Sequence, residues 1–206
     1  MTQIENLSSR LVIIDSGILD WQSLVLDLGT DTLVLILDSS ADGLTQISDY
    51  LTALSAGAGN FMPLQSIHII SHGGVGSLLL GSSLVTGSNL SNYGSQLATL
   101  GHALSADGDL LLYGCDVAQG SEGQAFILAL ANATGADVAA STDRTGSALL
   151  GGNWQLEAAT GAIQADTLIA TIAGVLQVIS GTVGDNNLIG TEIGRASCRE
   201  RVSPRV

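Results

Sequence analysis

LVIIDSGILDWQSLVLDLGTDTLVLIL, residues 11–37, decides the fold. Its first six residues, Leu11 to Ser16, are a β-branched run closed by turn residues, the pattern of a short buried strand. Trp21, Leu24, Val25 and Leu28 then recur at helical spacing, and Gly29 supplies a stop. Thr32 to Leu37 is a second strand-like run. Strand, helix and strand in such close succession form the unit that joins two parallel strands across one face of a sheet.

The alternation continues downstream. An Asp42-Gly43 turn leads into a helix carrying Leu44, Ile47, Leu51 and Leu54 before Gly57, and Ser66 to Ser71 is the third strand. Leu78 to Leu80 and Leu84-Val85, separated by Gly81-Ser82-Ser83, predict a hairpin within residues 73–86. Leu90, Tyr93, Leu97, Leu100 and Leu104 step by three and four and predict one helix. After an Asp107-Gly108 turn, the near-continuous apolar run Asp109 to Tyr113 predicts a central strand covered on both faces. Ser121 and Gln124 have capping-box spacing and predict a helix start, with a stop near Thr134-Gly135 and a fifth strand from Asp137 to Ser141. Gly151 to Glu157 reads as an accessory strand, and residues 158–176 read equally well as an edge strand or a linker. The expected class is α/β, a mostly parallel sheet with helices on both faces and ligands outside the carboxyl ends of the strands.

The 206 residues, 46% hydrophobic, suffice for one core and not for two full domains. Residues 192–206 concentrate arginine in a chain that otherwise hardly uses it, read as translated sequencing-adapter sequence, and are expected to be unstructured. Without them Arg10 and Arg144 face seventeen carboxylates, a net charge of −15 that would repel a phosphate backbone, so nucleic acid is not an expected partner. Cys115 is then the sole cysteine and no disulfide framework can form. No run reaches the roughly 18 apolar residues of a membrane span, and residues 1–10 lack the features of a cleaved signal peptide. Gly181 to Thr191 (GTVGDNNLIGT) resembles one turn of the glycine-aspartate repeats of calcium-binding β-rolls, with Asp185 as a metal contact. The expected organisation is therefore an α/β domain over residues 1–176, a linker and first repeat turn over 177–191, and the tail over 192–206.

His72 follows the third strand and Cys115 the fourth principal one. If those strands are neighbours, their ends lie about 4.8 Å apart and an imidazole can meet a thiol. Such a pair suits peptide hydrolysis: the thiolate attacks a carbonyl, and the histidine stabilises it and later protonates the leaving amine. Gly73 and Gly114 would let substrate and backbone approach closely, and amides beside Gly73 and Cys115 are candidate oxyanion donors. The competing reading is a cysteine that is merely a small buried hydrophobe. His68 is expected in the core and His102 in solvent. No phosphate-binding loop, dinucleotide fingerprint, serine nucleophile elbow or zinc spacing is present.

IHIISHGGVG (67–76), LLLYGCDVA (110–118), TGADVAAS (134–141) and GGNWQLE (151–157) resemble, in that order, the motifs of the bacterial family known as domain of unknown function 4347. The resemblance covers about residues 11–157, and the His-Gly and Gly-Cys placement is similar to that of caspases and other clan CD cysteine peptidases. It implies a caspase-like three-layer sandwich with His72 as general acid/base and Cys115 as nucleophile of a cysteine endopeptidase. Asp116, the residue after the nucleophile, and Asp143 are candidates to favour a basic substrate side chain. The implied setting is the N-terminal module of a large exported calcium-binding repeat or adhesin protein, extracellular or at the cell surface, exported by a signal beyond this sequence. Its partner would be a peptide or protein substrate, the parent chain included. Calcium is expected for downstream repeats and no cofactor for the α/β domain. The alternative is a non-catalytic structural or attachment domain of a bacterial surface protein.

Overall fold

The computed structural model describes residues 9–30, 32–57, 62–168 and 174–179. In chain order the first elements are β1 (Arg10–Asp15), α1 (Trp21–Leu26), β2 (Thr32–Leu37), α2 (Gly43–Gly57) and β3 (Leu64–Ile70). Three short strands follow, β4 (Gly73–Gly74), β5 (Ser77–Leu80) and β6 (Ser83–Thr86). Then come α3 (Gly94–Ala103), β7 (Leu104–Tyr113), α4 (Gly120–Thr134), β8 (Asp137–Ala140) and β9 (Ala158–Ala159).

The central sheet has the order β2-β1-β3-β7-β8-β9, parallel throughout except for β9. From β1 the chain moves one way to β2, then returns past β1 to β3 and continues outward. Right-handed crossovers require the connecting helix to change face when the direction changes. Accordingly Leu24 of α1 packs on one face, with Val12, Ile14, Ile70 and Leu111. Leu44 and Ile47 of α2, Leu97 of α3 and Phe126 of α4 pack on the other. The result is a three-layer α/β sandwich whose two outer layers are unequal: three helices cover one face, and one short helix plus irregular chain from Trp154 onward covers the other. The reversal falls between β1 and β3, and the carboxyl ends at such a point are where open α/β sheets bind ligands.

Several local expectations are corrected. The first helix ends at Leu26. The stepping series from Leu90 to Leu104 divides into a 3-10 turn (Leu90–Tyr93), α3, and the first residue of β7. The Asp107-Gly108 turn is an irregularity inside β7, whose register against β3 jumps from Leu64↔Leu104 to Ser66↔Asp109. α4 starts at Gly120 without a side-chain cap, because Gly120 (φ 65°) makes the sharp entry and Gln124 instead donates to the Ala118 carbonyl. Residues 151–157 form no strand beyond a single bridge, Thr145↔Asn153. There the Asn153 side chain accepts from the Gln155 amide and donates to Asp143, local bonds that compete with a ladder. Of residues 158–176, two form the antiparallel edge β9 and the other described ones are irregular. The hairpin is as expected, with β4 added as a third strand. The glycine-aspartate turn with Asp185 and the tail lie outside the described residues.

Candidate functional site

β1, β3 and β7 are consecutive neighbours, so their carboxyl ends present Asp15, His72 and Cys115 in a row. The turns beyond β3 and β7 touch: a Cβ on Gly114 would lie 3.3 Å from the Gly73 Cα, and one on Gly73 would lie 2.9 Å from the Cys115 carbonyl oxygen. At Gly73 this contact between the two turns leaves no room for a side chain. The Ser71 amide donates to the Tyr113 carbonyl at 3.0 Å and extends the pairing up to the site.

His72 is half-buried. Its Nδ1 accepts the Gln177 amide N–H at 2.9 Å. With Nδ1 accepting, Nε2 is the protonated nitrogen of the neutral ring, and a backbone interaction with Gly17 favours the charged form. Burial holds the ring below the ordinary histidine range, and the Gly17 bond and the Asp15 charge offset that only in part. Asp15, itself buried, accepts from the amides of Gly17 and Gly81, each at 2.7 Å. Burial raises its carboxyl above the usual range against those bonds and the nearby His72. Nothing in the sequence pattern singled out Asp15.

Cys115 is 0% exposed. Its thiol faces the Leu176 carbonyl oxygen at 2.7 Å and the Thr145 carbonyl at 4.0 Å. Burial pushes the thiol up; the Thr145 backbone and Arg144 pull it down, and Asp116 and Asp143 add to the rise. At neutral pH the resting pair is thus a protonated thiol and an uncharged imidazole. Among the described residues Cys115 is the only free cysteine, and no cluster suited to a metal ion occurs.

Leu176 and Gln177 belong to a strap, residues 174–179, that lies across the ends of β3 and β7. One peptide group of this strap separates the sulfur from the imidazole, which therefore lie about 8 Å apart at most. On one side of that group the Leu176 amide donates to Thr145 at 2.9 Å and the Ser147 amide to Gly174 at 2.8 Å. On the other, Gly73 donates to Gln177 at 3.3 Å and accepts from Ile179 at 2.7 Å. The Gly73 amide, expected as an oxyanion donor, is therefore engaged one residue beyond the Leu176 carbonyl. The Thr145 hydroxyl beside the strap is buried without a hydrogen-bond partner.

Asp116 sits in the turn after Cys115 with left-handed backbone (φ 60°), its amide donating to the Asp143 carbonyl at 2.8 Å. Burial and the Asp143 charge raise its carboxyl, while Arg144 opposes them. Asp143 is exposed and its carboxylate accepts from Asn153. His68 is a core residue as expected, bonded to Ser66 at 3.0 Å and stacked on Tyr113. His102 is exposed on α3. A polar groove lined by Arg10, Gln65, Asp107 and Asp166 lies at the opposite, amino end of the strands. No described helix is long and apolar enough to cross a membrane.

Residues 11–176 match the family described as Domain of unknown function (DUF4347). No curated protein matches the chain. A solved structure, described as a crystal structure of a small-chain dehydrogenase, aligns at 10% identity over 61% of this chain and 70% of its own, with a TM-score of 0.27. A likeness of that size carries no argument.

Proposed function

The chain belongs to the DUF4347 family, and from its site we propose that it hydrolyses peptide bonds, with Cys115 as nucleophile and His72 as general acid/base. One observation carries this reading: a thiol and an imidazole from adjacent strand ends address the carbonyl oxygen and the amide nitrogen of a single peptide group. Acyl transfer from an amide requires the sulfur to pass from that oxygen to the carbonyl carbon beside it and a proton to reach the nitrogen. Asp15 and the Gly17 backbone, which both favour the charged imidazole, act as positioning groups for the ring. Caspase-like mechanism and export in a large calcium-binding repeat protein complete the reading. The ordered His-Gly and Gly-Cys motifs, the acidic composition and the glycine-aspartate segment of residues 181–191 support them.

A second reading has its own observation. Cys115 is wholly buried and its thiol is pushed up, which suits a structural domain without turnover. Ile179→Pro separates the two. It deletes the 2.7 Å bond from the strap to Gly73 and loosens the cover over the sulfur. Iodoacetamide should then label Cys115 faster than a free thiol, and His72→Ala in the same background should abolish the excess. Labelling at the free-thiol rate, indifferent to His72, would leave only the scaffold.

A further inference from the structure

The strap does not merely occlude the site; its backbone is bound as an extended substrate would be, and we propose that the chain cleaves itself between Leu176 and Gln177. This rests on the hydrolase reading and names its first substrate. Three features distinguish the Leu176–Gln177 bond. Its carbonyl oxygen is 2.7 Å from Cys115 Sγ, and with a C=O bond of about 1.2 Å the carbonyl carbon lies within about 4 Å of the sulfur. Reactive approach begins at about 3–3.5 Å. Its nitrogen is 2.9 Å from His72 Nδ1, the atom that must deliver the proton when the C–N bond breaks. The chain on either side is clamped by backbone pairing, antiparallel through Gly146↔Val175 and parallel through Gly73↔Val178.

Glycines permit both clamps. A Cβ on Gly74 would lie 2.4 Å from the Ile179 carbonyl oxygen, and one on Gly146 would lie 2.6 Å from the Val175 Cα. The side chain delivered to the thiol's own apolar cluster is Leu176, 1% exposed and grouped with Ile18, Ile70 and Tyr113. The pocket before the cut thus takes an aliphatic residue. Gln177, after the cut, is exposed.

In the reaction, the Cys115 proton passes to Nδ1 of His72 and sulfur bonds to the Leu176 carbonyl carbon. The C–N bond then breaks, and the Gln177 nitrogen leaves as an amine carrying that proton. Water, deprotonated by the same ring, hydrolyses the thioester, releasing the Leu176 carboxylate and restoring the thiol. Because the Gly73 amide serves the Gln177 carbonyl at rest, the first step must proceed without that donor or displace the strap slightly, so a slow single turnover is expected.

The test is the 206-residue chain, purified rapidly and incubated while intact mass is followed. The expected result is a first-order appearance of fragments 1–176 and 177–206 at a rate independent of protein concentration, lost in Cys115→Ala and His72→Ala. Gln177→Pro, which removes the amide N–H that faces His72, should also lose cleavage while its thermal melt persists and, combined with Ile179→Pro, its His72-dependent alkylation is retained. A chain that stays intact although Cys115 in the Ile179→Pro variant labels rapidly and with His72 dependence would overturn self-cleavage and leave the hydrolase. Cleavage at another bond would overturn the assignment of the site. An intact chain with free-thiol labelling would remove both.

Discussion

Two histidines four residues apart, His68 and His72, show how burial sets charge. His68 is sealed between Ser66 and the Tyr113 ring, and burial, with Arg10 adding, pushes its pKa down to about 3. The unfolded chain would bind that proton near pH 6.5, so the neutral ring's contribution is complete above pH 6.5 and is lost as pH falls toward 3. At about 1.4 kcal/mol per unit the loss is on the order of 5 kcal/mol. His68→Gln keeps hydrogen-bonding capacity without titrating, so the drop in urea midpoint between pH 7 and pH 4 should be clearly smaller than in the parent. His72 has the same sign for a different consequence. Its folded pKa is lowered, chiefly by burial, so acidification protonates Nδ1 and sets two donors, ring and Gln177 amide, against each other. Hydrogen exchange at the Gln177 amide should accelerate below the ordinary histidine range, and His72→Asn should remove that pH dependence; exchange that ignores both would show the contact to be immaterial. Both histidines were readable from sequence, the one facing inward by strand alternation and the other by its place just beyond a strand end. Asp15 was not, because its partners are backbone amides, one of them Gly81, 66 residues away.

At the level of elements, the parallel strands were legible because β-branched and leucine runs of four to seven residues repeat between helical spacings. The irregular cover was not. It is fastened by side chains of β7 reaching out to backbone amides: Asp109 accepts from Gln164 at 2.8 Å and Ala165 at 2.7 Å, and the Tyr113 hydroxyl accepts from Leu168 at 2.7 Å. Such contacts leave no periodicity in the covering segment, and its pairing runs are one or two residues long. Tyr113→Phe keeps the ring against His68 and Trp154 but orphans the buried Leu168 amide, a cost of about 1–3 kcal/mol. The expected outcome is faster exchange confined to residues near Leu168, with α2 and α4 unchanged. A uniform loss of protection would mean that the cover and the helical layer unfold as one. The capping-box expectation at Ser121 failed for a related reason, since a glycine with positive φ entered the helix where no side-chain cap was needed.

Across the whole molecule, the asymmetry between the two faces links stability to the site. One face is a broad cluster locked by three helices, while the other is completed by Leu168 and Leu176 from chain without regular structure. The carboxyl ends of β3 and β7 lie beneath that less regular cover, so local release of this one layer would expose Cys115 without unfolding the helices. Leu176 is the last buried side chain before the exposed Gln177, and it packs in the same cluster as Cys115. Leu176→Ala should cost about 2–5 kcal/mol if the emptied space does not collapse. If it empties the cluster locally, denaturation followed by Trp154 and Trp21, which pack on that face, should show a lower midpoint than far-ultraviolet circular dichroism, which reports mainly the helices. Cys115 alkylation should accelerate in the same range of denaturant. Coincident transitions by all three probes would mean that the second face is as firmly built as the first, and that access to the sulfur requires global unfolding.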